Sequence, residues 1–175
     1  MDIKNGNIRV RLMNDSDFPL MLKWLTDERV LEFYGGRDLA YTMETLRDHY
    51  ADPADEQTTR MIIEYCGTAI GYGQFYPVDY MEFGLQESDD VVYGIDQFIG
   101  EPDLWNRGIG TAYVLMLCEW LKAEMEADAV VLDPHKDNAR AIRAYEKAGF
   151  RIITELPEHE FFEGRKVDCW LMEWR

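Results

Sequence analysis

Apolar and polar positions alternate in two different periods along the first fifty residues, which predicts both strand and helix. Residues 8–12 alternate strictly, as in a strand with one buried face. Apolar positions within 18–25 recur at helical spacing, and Asp15 or Ser16 is placed to cap that helix. A second short helix is predicted to begin near Thr42, a good N-cap residue.

The middle of the chain predicts a hairpin followed by a strand and a long helix. Residues 60–65 and 69–76 are apolar runs separated by a short turn at 66–68 that contains glycine, which is typical of a hairpin. Residues 91–99 predict the next strand. A glycine-rich turn then leads into residues 109–125, whose apolar positions form one helical stripe. We expect this helix to pack on a sheet.

The last third predicts a strand, a helix and two closing strands. Residues 129–132 form a short apolar run, Asn138 is a good N-cap, and Gly149 stands where a C-cap glycine belongs. Residues 150–154 and 167–174 supply the closing strands. The whole pattern predicts a mixed α/β fold around a mostly antiparallel sheet.

Length and charge limit the possible functions. A chain of 175 residues fits one domain, which we predict to span residues 1–175, and 47% hydrophobic residues are typical of a folded protein. The formal net charge is −16. A surface with this potential repels polyanions and attracts cations, so nucleic acid is not expected as a partner.

The charges are unevenly distributed. Eight acidic residues lie between positions 79 and 103, with no basic residue among them: Asp79, Glu82, Glu87, Asp89, Asp90, Asp96, Glu101 and Asp103. Between positions 134 and 151 the basic residues are in excess: Lys136, Arg140, Arg143, Lys147 and Arg151. The first region suits a cationic ligand and the second suits an anion.

Cysteine and histidine residues show no pattern typical of a metal or disulfide site. Cys66, Cys118 and Cys169 are far apart, with no C-x-x-C pair, and the three histidines lack metal-ligand spacing. We therefore predict no metal, no disulfide framework and a reducing, cytoplasmic location. No targeting segment or membrane-spanning apolar run is recognised, so no membrane partner is expected.

The run Trp105–Thr111 stands between a predicted strand and the long helix. Its glycines allow the backbone to approach an anion, while the first amides and the positive dipole of the helix point at it. Neither the Walker pattern nor G-x-G-x-x-G is present. A pyrophosphate is expected at Asn106, Arg107, Gly108, Ile109, Gly110 and Thr111, and the alternative is a plain tight turn.

A second run, Asn138–Phe150, reads NARAIRAYEKAGF. Together the two runs resemble the GNAT superfamily of acetyl-CoA-dependent N-acetyltransferases, in which a phosphate loop precedes one helix and an N-x-x-A-x-x-x-Y-x-x-x-G-F segment forms another. The resemblance implies acetyl-CoA as co-substrate, bound in a V-shaped slot of the GNAT fold. One departure is Trp105, where the family usually has Gln or Arg.

Further segments narrow the resemblance to the aminoglycoside 6'-N-acetyltransferases. They are Leu22–Leu25, Glu32–Gly36, Ile70–Gln74, Tyr93–Gln97 and Asp133–His135. The likeness extends from about Asp17 to the C-terminus. It is especially close to the acetyltransferase half of the bifunctional acetyltransferase-phosphotransferase resistance enzyme, although this chain stops before any kinase domain.

The resemblance implies roles for residues in the transfer reaction. Asp96 lies on the strand that the family opens to form the slot, so it is predicted to orient the amine and accept its proton. Tyr145 matches the family tyrosine that protonates the leaving thiolate. The remaining cofactor contacts are expected from the strand amides of Gln97, Phe98 and Ile99 and from Asn138, Arg143 and Lys147.

The acceptor is predicted to be a polycationic aminoglycoside. Asp133 and Asp96 are candidates to hold two of its ammonium groups. Trp24, Tyr34, Tyr72 and Gln74 are candidate walls, since aromatic faces support sugar rings and cations. For each aromatic residue, packing in the core is the alternative interpretation.

Two other functions remain open at this stage. One is acetylation of a polyamine or a protein N-terminus with the same cofactor, and the acidic residues do not distinguish these acceptors. The other is a sensor that binds acetyl-CoA without turnover, which the presence of both Asp96 and Tyr145 disfavours.

Overall fold

The computed structural model describes residues 1–51, 55, 57–78, 83–86 and 88–175. Of the acidic residues named above, Asp79, Glu82 and Glu87 lie outside the described residues. The strands are β1 (Asp2–Asn5), β2 (Ile8–Leu12), β3 (Thr59–Tyr65), β4 (Thr68–Pro77), β5 (Val92–Ile99), β6 (Ala129–Leu132), β7 (Arg151–Phe162) and β8 (Arg165–Trp174). The helices are α1 (Phe18–Trp24), α2 (Glu28–Leu31), α3 (Met43–Tyr50), α4 (Ile109–Glu124) and α5 (Ala139–Lys147).

The strands form one sheet in the order β1-β2-β3-β4-β5-β6-β8-β7. The pairs β1–β2, β2–β3, β3–β4, β6–β8 and β7–β8 are antiparallel. β5 and β6 are parallel, because the long helix α4 connects them as a crossover. Their ladder runs from the pair Val92–Ala129 to the pair Gly94–Val131, and β5 continues to Ile99. The predicted mixed, mostly antiparallel fold is confirmed.

The chain divides into two compact units. The first unit comprises Met1–Phe75 and Asp96–Ile109, and the second comprises Tyr76–Ile95 and Gly110–Arg175. That residues 1–175 form a single domain stays a prediction. Among the described residues, no helix combines the length and hydropathy that crossing a bilayer requires.

The first unit is built around a core that helices α1, α2 and α3 share with the sheet. Trp24, Leu25, Leu46, Ile62 and Tyr72 are completely buried in this core. α3 begins where it was predicted, because the side chains of Thr42 and Thr45 form a reciprocal capping box. These helices therefore cover apolar strand residues, and their burial fixes the position of the aromatic rings discussed below.

The core of the second unit consists mainly of residues from β5, β6 and β8 and of the apolar stripe of α4. Within that stripe, Tyr113, Leu117 and Leu121 are completely buried, as the helical spacing predicts. Cys118 is also buried, and burial raises the pKa of its thiol.

The structure differs from the sequence-based expectations at four elements. Asn14, and not Asp15 or Ser16, caps the first helical segment, a 3-10 turn over Asp15–Asp17 that leads into α1. β1 and the four-residue helix α2 were not predicted, because short exposed elements carry little periodicity. β7 continues through Pro157 to Phe162, beyond the predicted end at position 154.

Candidate active site

Asp96 lies on β5 as the last member of a hydrogen-bonded chain of side chains. Tyr72 donates its hydroxyl hydrogen to Gln74 Oε1 at 2.6 Å, and Gln74 Nε2 donates to Asp96 Oδ2 at 2.8 Å. Because the phenol occupies the amide oxygen, the amide NH₂ group is directed at the carboxylate. Gln74 thus holds the half-buried Asp96 carboxylate in one orientation, and the buried Tyr72 holds Gln74.

Aromatic rings surround this chain of hydrogen bonds. Tyr72 stacks on Phe98 with ring centroids 5.8 Å apart, Tyr34 lies 4.7 Å from Phe98, and Tyr50 meets Tyr72 edge-on at 5.2 Å. We call Tyr34, Tyr50, Tyr72, Gln74, Asp96 and Phe98 the Asp96 cluster. Tyr50 was not among the residues predicted from the sequence, since its helical spacing in α3 indicated only a core position.

Two tyrosines of the Asp96 cluster, Tyr34 and Tyr50, are neutral. Burial raises the pKa of Tyr34 well above its usual value, and the Tyr50 hydroxyl and the Asp96 carboxylate raise it further. Burial also raises the pKa of Tyr50. Both phenols therefore keep their protons at neutral pH and are available as hydrogen-bond donors near the carboxylate.

Two of the aromatic residues predicted as acceptor walls are covered on all sides. Trp24 and Tyr72 have 0% of their surface exposed, and both belong to the core of the first unit. The burial favours the alternative interpretation, core packing, and their direct contact with an acceptor stays a prediction. Tyr34 and Gln74 are half-buried, so part of each side chain is accessible.

Trp24 is fixed by a polar contact as well as by packing. Its indole Nε1 donates to Glu101 Oε1 at 2.9 Å, and Lys23 Nζ lies 2.5 Å from the same oxygen. Burial alone would raise the pKa of Glu101, but the hydrogen bonds from Lys23 and Trp24 outweigh it and hold this pKa below its usual value. Gly100 is required beside the indole, because a Cβ atom there would lie 2.2 Å from the ring.

The glycine-rich segment Trp105–Gly110 comprises a turn and the first two residues of α4. Asn106 and Gly108 have φ angles of 60° and 78°, and residues 106–108 are exposed. Gly108 thus provides a left-handed conformation that other residues rarely adopt. We call this segment the glycine turn, and its position at the start of a helix is the one expected of a phosphate site.

Gly110 is not required by the backbone or by packing. It lies in the first turn of α4, its φ is outside the left-handed region, and a Cβ atom there would meet nothing within 4 Å. Glycine inside a helix costs about 1 kcal/mol relative to alanine. The fold would therefore gain from a side chain at Gly110, and the open space in front of it suits a ligand that approaches the backbone closely.

Trp105, which stands where the family usually has Gln or Arg, makes two contacts that hold the glycine turn. Its indole Nε1 donates to the carbonyl oxygen of Ile99 at 2.7 Å, and its ring meets Phe33 edge-on at 6.0 Å. The side chain at this position ties the beginning of the glycine turn to the end of β5. These two contacts anchor the turn.

The helix α5 carries Tyr145 and is held to the start of α4. Thr111 Oγ1 donates to the carbonyl oxygen of Ala144 at 3.3 Å, directly before Tyr145. Tyr145 is half-buried, with its ring 6.1 Å from Phe150. Asn138 caps α5, because its side-chain oxygen accepts a hydrogen bond from the Ala141 amide at 3.1 Å.

Three basic residues of α5 fall on one face. Arg140, Arg143 and Lys147 are spaced three and four residues apart, which places them above one another on the helix. Arg143 and Lys147 are exposed. This face carries positive charge, and its role toward an anionic ligand stays a prediction.

Asp133 follows β6 and has a histidine partner. His159 Nε2 lies 3.1 Å from Asp133 Oδ2. Burial raises the pKa of Asp133, and the Glu160 carboxylate adds to the rise, while His159 opposes it. Sequence reasoning found Asp133 but not His159, since 26 positions separate them in the numbering and only the β7 strand brings them together.

The chain resembles known acetyltransferases over most of its length. Residues 14–157 match the acetyltransferase (GNAT) domain family. An aminoglycoside N(6')-acetyltransferase type 1 of Klebsiella pneumoniae is 34% identical over 150 residues, which cover 83% of this chain and 75% of that protein. A kanamycin resistance protein of Rhizobium radiobacter is 43% identical over 65 residues, or 37% of this chain and 60% of that protein.

Two solved structures similar to this chain are also acetyltransferases. The crystal structure of the aminoglycoside acetyltransferase AAC(6')-Ib in complex with coenzyme A has a TM-score of 0.77 and 28% identity, covering 95% of this chain and 94% of that chain. A spermidine N-acetyltransferase from Vibrio cholerae, solved with CoA and spermine, has a TM-score of 0.78 at 16% identity, covering 97% and 96%, a likeness of fold alone. This chain belongs to the GNAT acetyltransferase family.

Proposed function

We propose that this protein transfers the acetyl group of acetyl-CoA to the 6'-amine of aminoglycoside antibiotics by direct attack, and so confers resistance. The observation that carries the proposal is the Gln74–Asp96 hydrogen bond of 2.8 Å, which fixes a carboxylate among aromatic rings on β5. The aminoglycoside N(6')-acetyltransferase of Klebsiella pneumoniae named above is 34% identical to this chain over 150 residues. A carboxylate beside aromatic faces is the chemistry that a polycationic sugar needs.

The cofactor is proposed to bind at the glycine turn. The amides that begin α4 and the positive end of its dipole would hold the pyrophosphate, and the open space at Gly110 would let it approach. Asn106, Arg107, Gly108, Ile109 and Thr111 complete this part of the proposal. Arg143 and Lys147 on α5 supply positive charge for the phosphates, and the amides of Gln97, Phe98 and Ile99 polarise the thioester carbonyl.

Asp96 is proposed to serve the acceptor in two ways. Its carboxylate attracts the ammonium form of the 6'-amine and then accepts the proton that the amine must lose before its lone pair attacks the carbonyl carbon. Tyr34 and Gln74 line the approach to this carboxylate, and Asp133 binds a further ammonium group. Trp24 and Tyr72 contribute by holding these residues from within the core.

The thioester bond then breaks, and the thiolate of CoA leaves. Tyr145 is proposed to donate the phenolic proton to this thiolate, which makes CoA a better leaving group. The hydrogen bond from Thr111 Oγ1 to the carbonyl oxygen of Ala144 holds this part of α5, and with it Tyr145, at the start of α4.

We further propose that residues 1–175 act as one catalytic domain in the cytoplasm. The closer likeness to the acetyltransferase half of the bifunctional resistance enzyme also stays a prediction.

A thiol-release assay with a panel of amines tests the proposal. Wild-type protein with acetyl-CoA should release CoA rapidly with kanamycin and slowly with spermidine or a peptide with a free N-terminus. Rapid turnover of spermidine or the peptide alone would replace the proposed acceptor. Binding of acetyl-CoA without release of CoA for any amine would favour the sensor.

A further inference from the structure

Three side chains with metal-binding atoms meet in the second unit. The ligand atoms of His135, Glu160 and Cys169 all lie within 4.8 Å of one another. His135 follows β6, Glu160 lies on β7 and Cys169 lies on β8. Sequence spacing gave no sign of this group, because 25 residues separate His135 from Glu160 and only the folded sheet brings the three together.

Backbone pairing holds these residues in place. His135 and Cys169 face each other in an isolated antiparallel bridge. On either side of that bridge, Lys136 N donates to Asp168 O and Trp170 N donates to Pro134 O, each at 3.0 Å. The donor atoms therefore project from paired backbone, which keeps them close without a bound ligand.

The side chain of His135 is oriented by two further contacts. Its Nε2 atom lies 2.6 Å from Glu160 Oε2, and its ring meets Phe162 edge-on with centroids 4.6 Å apart. Glu160 is exposed, His135 is half-buried and Cys169 is completely buried. An ion entering from solvent would thus meet the carboxylate first and the sulfur last.

We propose that His135, Glu160 and Cys169 form a binding site for one divalent cation of the zinc class. A sulfur, an imidazole nitrogen and a carboxylate oxygen are the donors that zinc and its neighbours in the first transition series prefer, whereas calcium and magnesium prefer oxygen alone. Three protein ligands leave the fourth tetrahedral position open to water. This inference is independent of the proposed acetyltransferase function.

The surrounding charge favours a cation. Asp133, Asp137, Glu160 and Asp168 all act electrostatically on Cys169. The distances require only small shifts, since ligands about 2.0–2.3 Å from one ion lie roughly 3.3–3.8 Å apart in a tetrahedron. The His135–Glu160 contact must lengthen by about 1 Å for this, and the exposed Glu160 side chain can move without displacing core residues.

Binding of the ion has a defined proton balance. Burial raises the pKa of Cys169 to about 12, so the thiol is protonated at neutral pH. The ion takes the place of this proton, which leaves to solvent, and His135 binds as the neutral imidazole. Each bound cation therefore releases at least one proton, and no oxidation or reduction takes part.

Titration of the chelator-treated protein with cobalt(II) tests the site, because a Co²⁺–thiolate bond absorbs in the near ultraviolet and a tetrahedral ion absorbs in the visible. We expect both bands to saturate at one equivalent and to be abolished by zinc. Cys169→Ser should remove the near-ultraviolet band. Glu160→Gln and His135→Gln should each weaken binding at least about tenfold, since even outer-shell changes cost roughly 10–100-fold.

Two variants in the first unit serve as controls. Cys66 is an exposed thiol and His49 an exposed imidazole, so Cys66→Ser and His49→Gln should leave both bands and the affinity unchanged. Because Cys169 is buried, Glu160→Gln provides a test that does not disturb the core. A near-ultraviolet band that disappears in Cys66→Ser, or an affinity unchanged in Glu160→Gln and His135→Gln, would overturn the proposal.

Discussion

The glycine turn and the Asp96 cluster, the two proposed ligand sites, are built in opposite ways. The glycine turn offers backbone, with exposed residues 106–108 and open space in front of Gly110. The Asp96 cluster offers side chains, of which Tyr72 and Phe98 are buried and Gln74 and Asp96 are joined at 2.8 Å. A site built from backbone tolerates changes of side chain, whereas a site built from a hydrogen-bonded chain does not.

This difference predicts which kinds of mutation should be harmful at each site. At the glycine turn, adding atoms should be harmful and removing side chains nearly harmless, because the proposed ligand approaches the main chain. In the Asp96 cluster, removing one polar group should be harmful, because each side chain orients the next. The predictions below test this contrast.

The largest effect is expected for Asp96→Asn. The amide keeps the shape and can still accept a hydrogen bond, but it cannot take a proton or attract an ammonium group. The turnover number at saturating kanamycin should fall by roughly 100-fold to 10,000-fold, which is the usual contribution of a general base. Stopped assays of CoA release over a range of pH measure this, and calorimetry should give unchanged affinity for acetyl-CoA.

Saturation with acceptor separates two roles of Asp96. If the carboxylate only binds the acceptor, a high concentration of kanamycin restores turnover, whereas the loss of a base persists at saturation. Turnover at the wild-type rate across the pH range would mean that Asp96 is neither the base nor an essential orienting group.

Much of the fold was predictable from the sequence, because local patterns determine it. The period of two in β2, the capping residue Thr42 and the apolar stripe of α4 each specify an element without reference to the rest of the chain. β7 was predicted too short, because Pro157 and its acidic neighbours are typical of a loop. Pairing with β8 and two register shifts accommodate them instead.

The candidate site was predictable only in part. The glycine turn is contiguous, so its residues reveal it directly. The partners of Asp96 and Asp133 are distant in sequence, and no periodicity indicates that Gln74 would direct its amide at Asp96 or that His159 would reach Asp133. Non-local hydrogen bonds depend on strand register, which a single sequence does not specify.

A smaller effect is expected for Gln74→Met, which keeps the length of the side chain but removes both hydrogen bonds. The carboxylate loses its orienting donor, which should cost about 1.5 kcal/mol, or roughly tenfold in turnover. Tyr72→Phe should lower turnover by a smaller factor than Gln74→Met, because it removes only the phenol that orients Gln74 and leaves the Gln74–Asp96 contact. Equal turnover for Gln74→Met and wild type would show that Asp96 needs no orientation by Gln74.

A still smaller effect is expected for Gly110→Ala. The methyl group meets no protein atom within 4 Å, so the free energy of unfolding should stay equal or rise by up to about 1 kcal/mol. The affinity for acetyl-CoA should nevertheless fall roughly fivefold, because the methyl group occupies the proposed ligand space. Calorimetry and thermal unfolding measure the two quantities.

Arg107→Ala is the counterpart of Gly110→Ala within the same turn. Its side chain is exposed, and a single exposed charge contributes less than about 1 kcal/mol. The affinity for acetyl-CoA should therefore fall less than in Gly110→Ala. A larger loss in Arg107→Ala would mean that the site depends on side chains, and the contrast with the Asp96 cluster would not hold.

The most direct test of the proposed function compares two acceptors that differ in one group. Kanamycin carries a 6'-amine, and an analogue with a hydroxyl at that position retains the remaining ammonium groups. The account predicts one acetyl group per kanamycin molecule, located at the 6'-nitrogen by NMR, and no acetylated product from the analogue. Acetylation of the analogue at an amine with a comparable kcat/KM would contradict it.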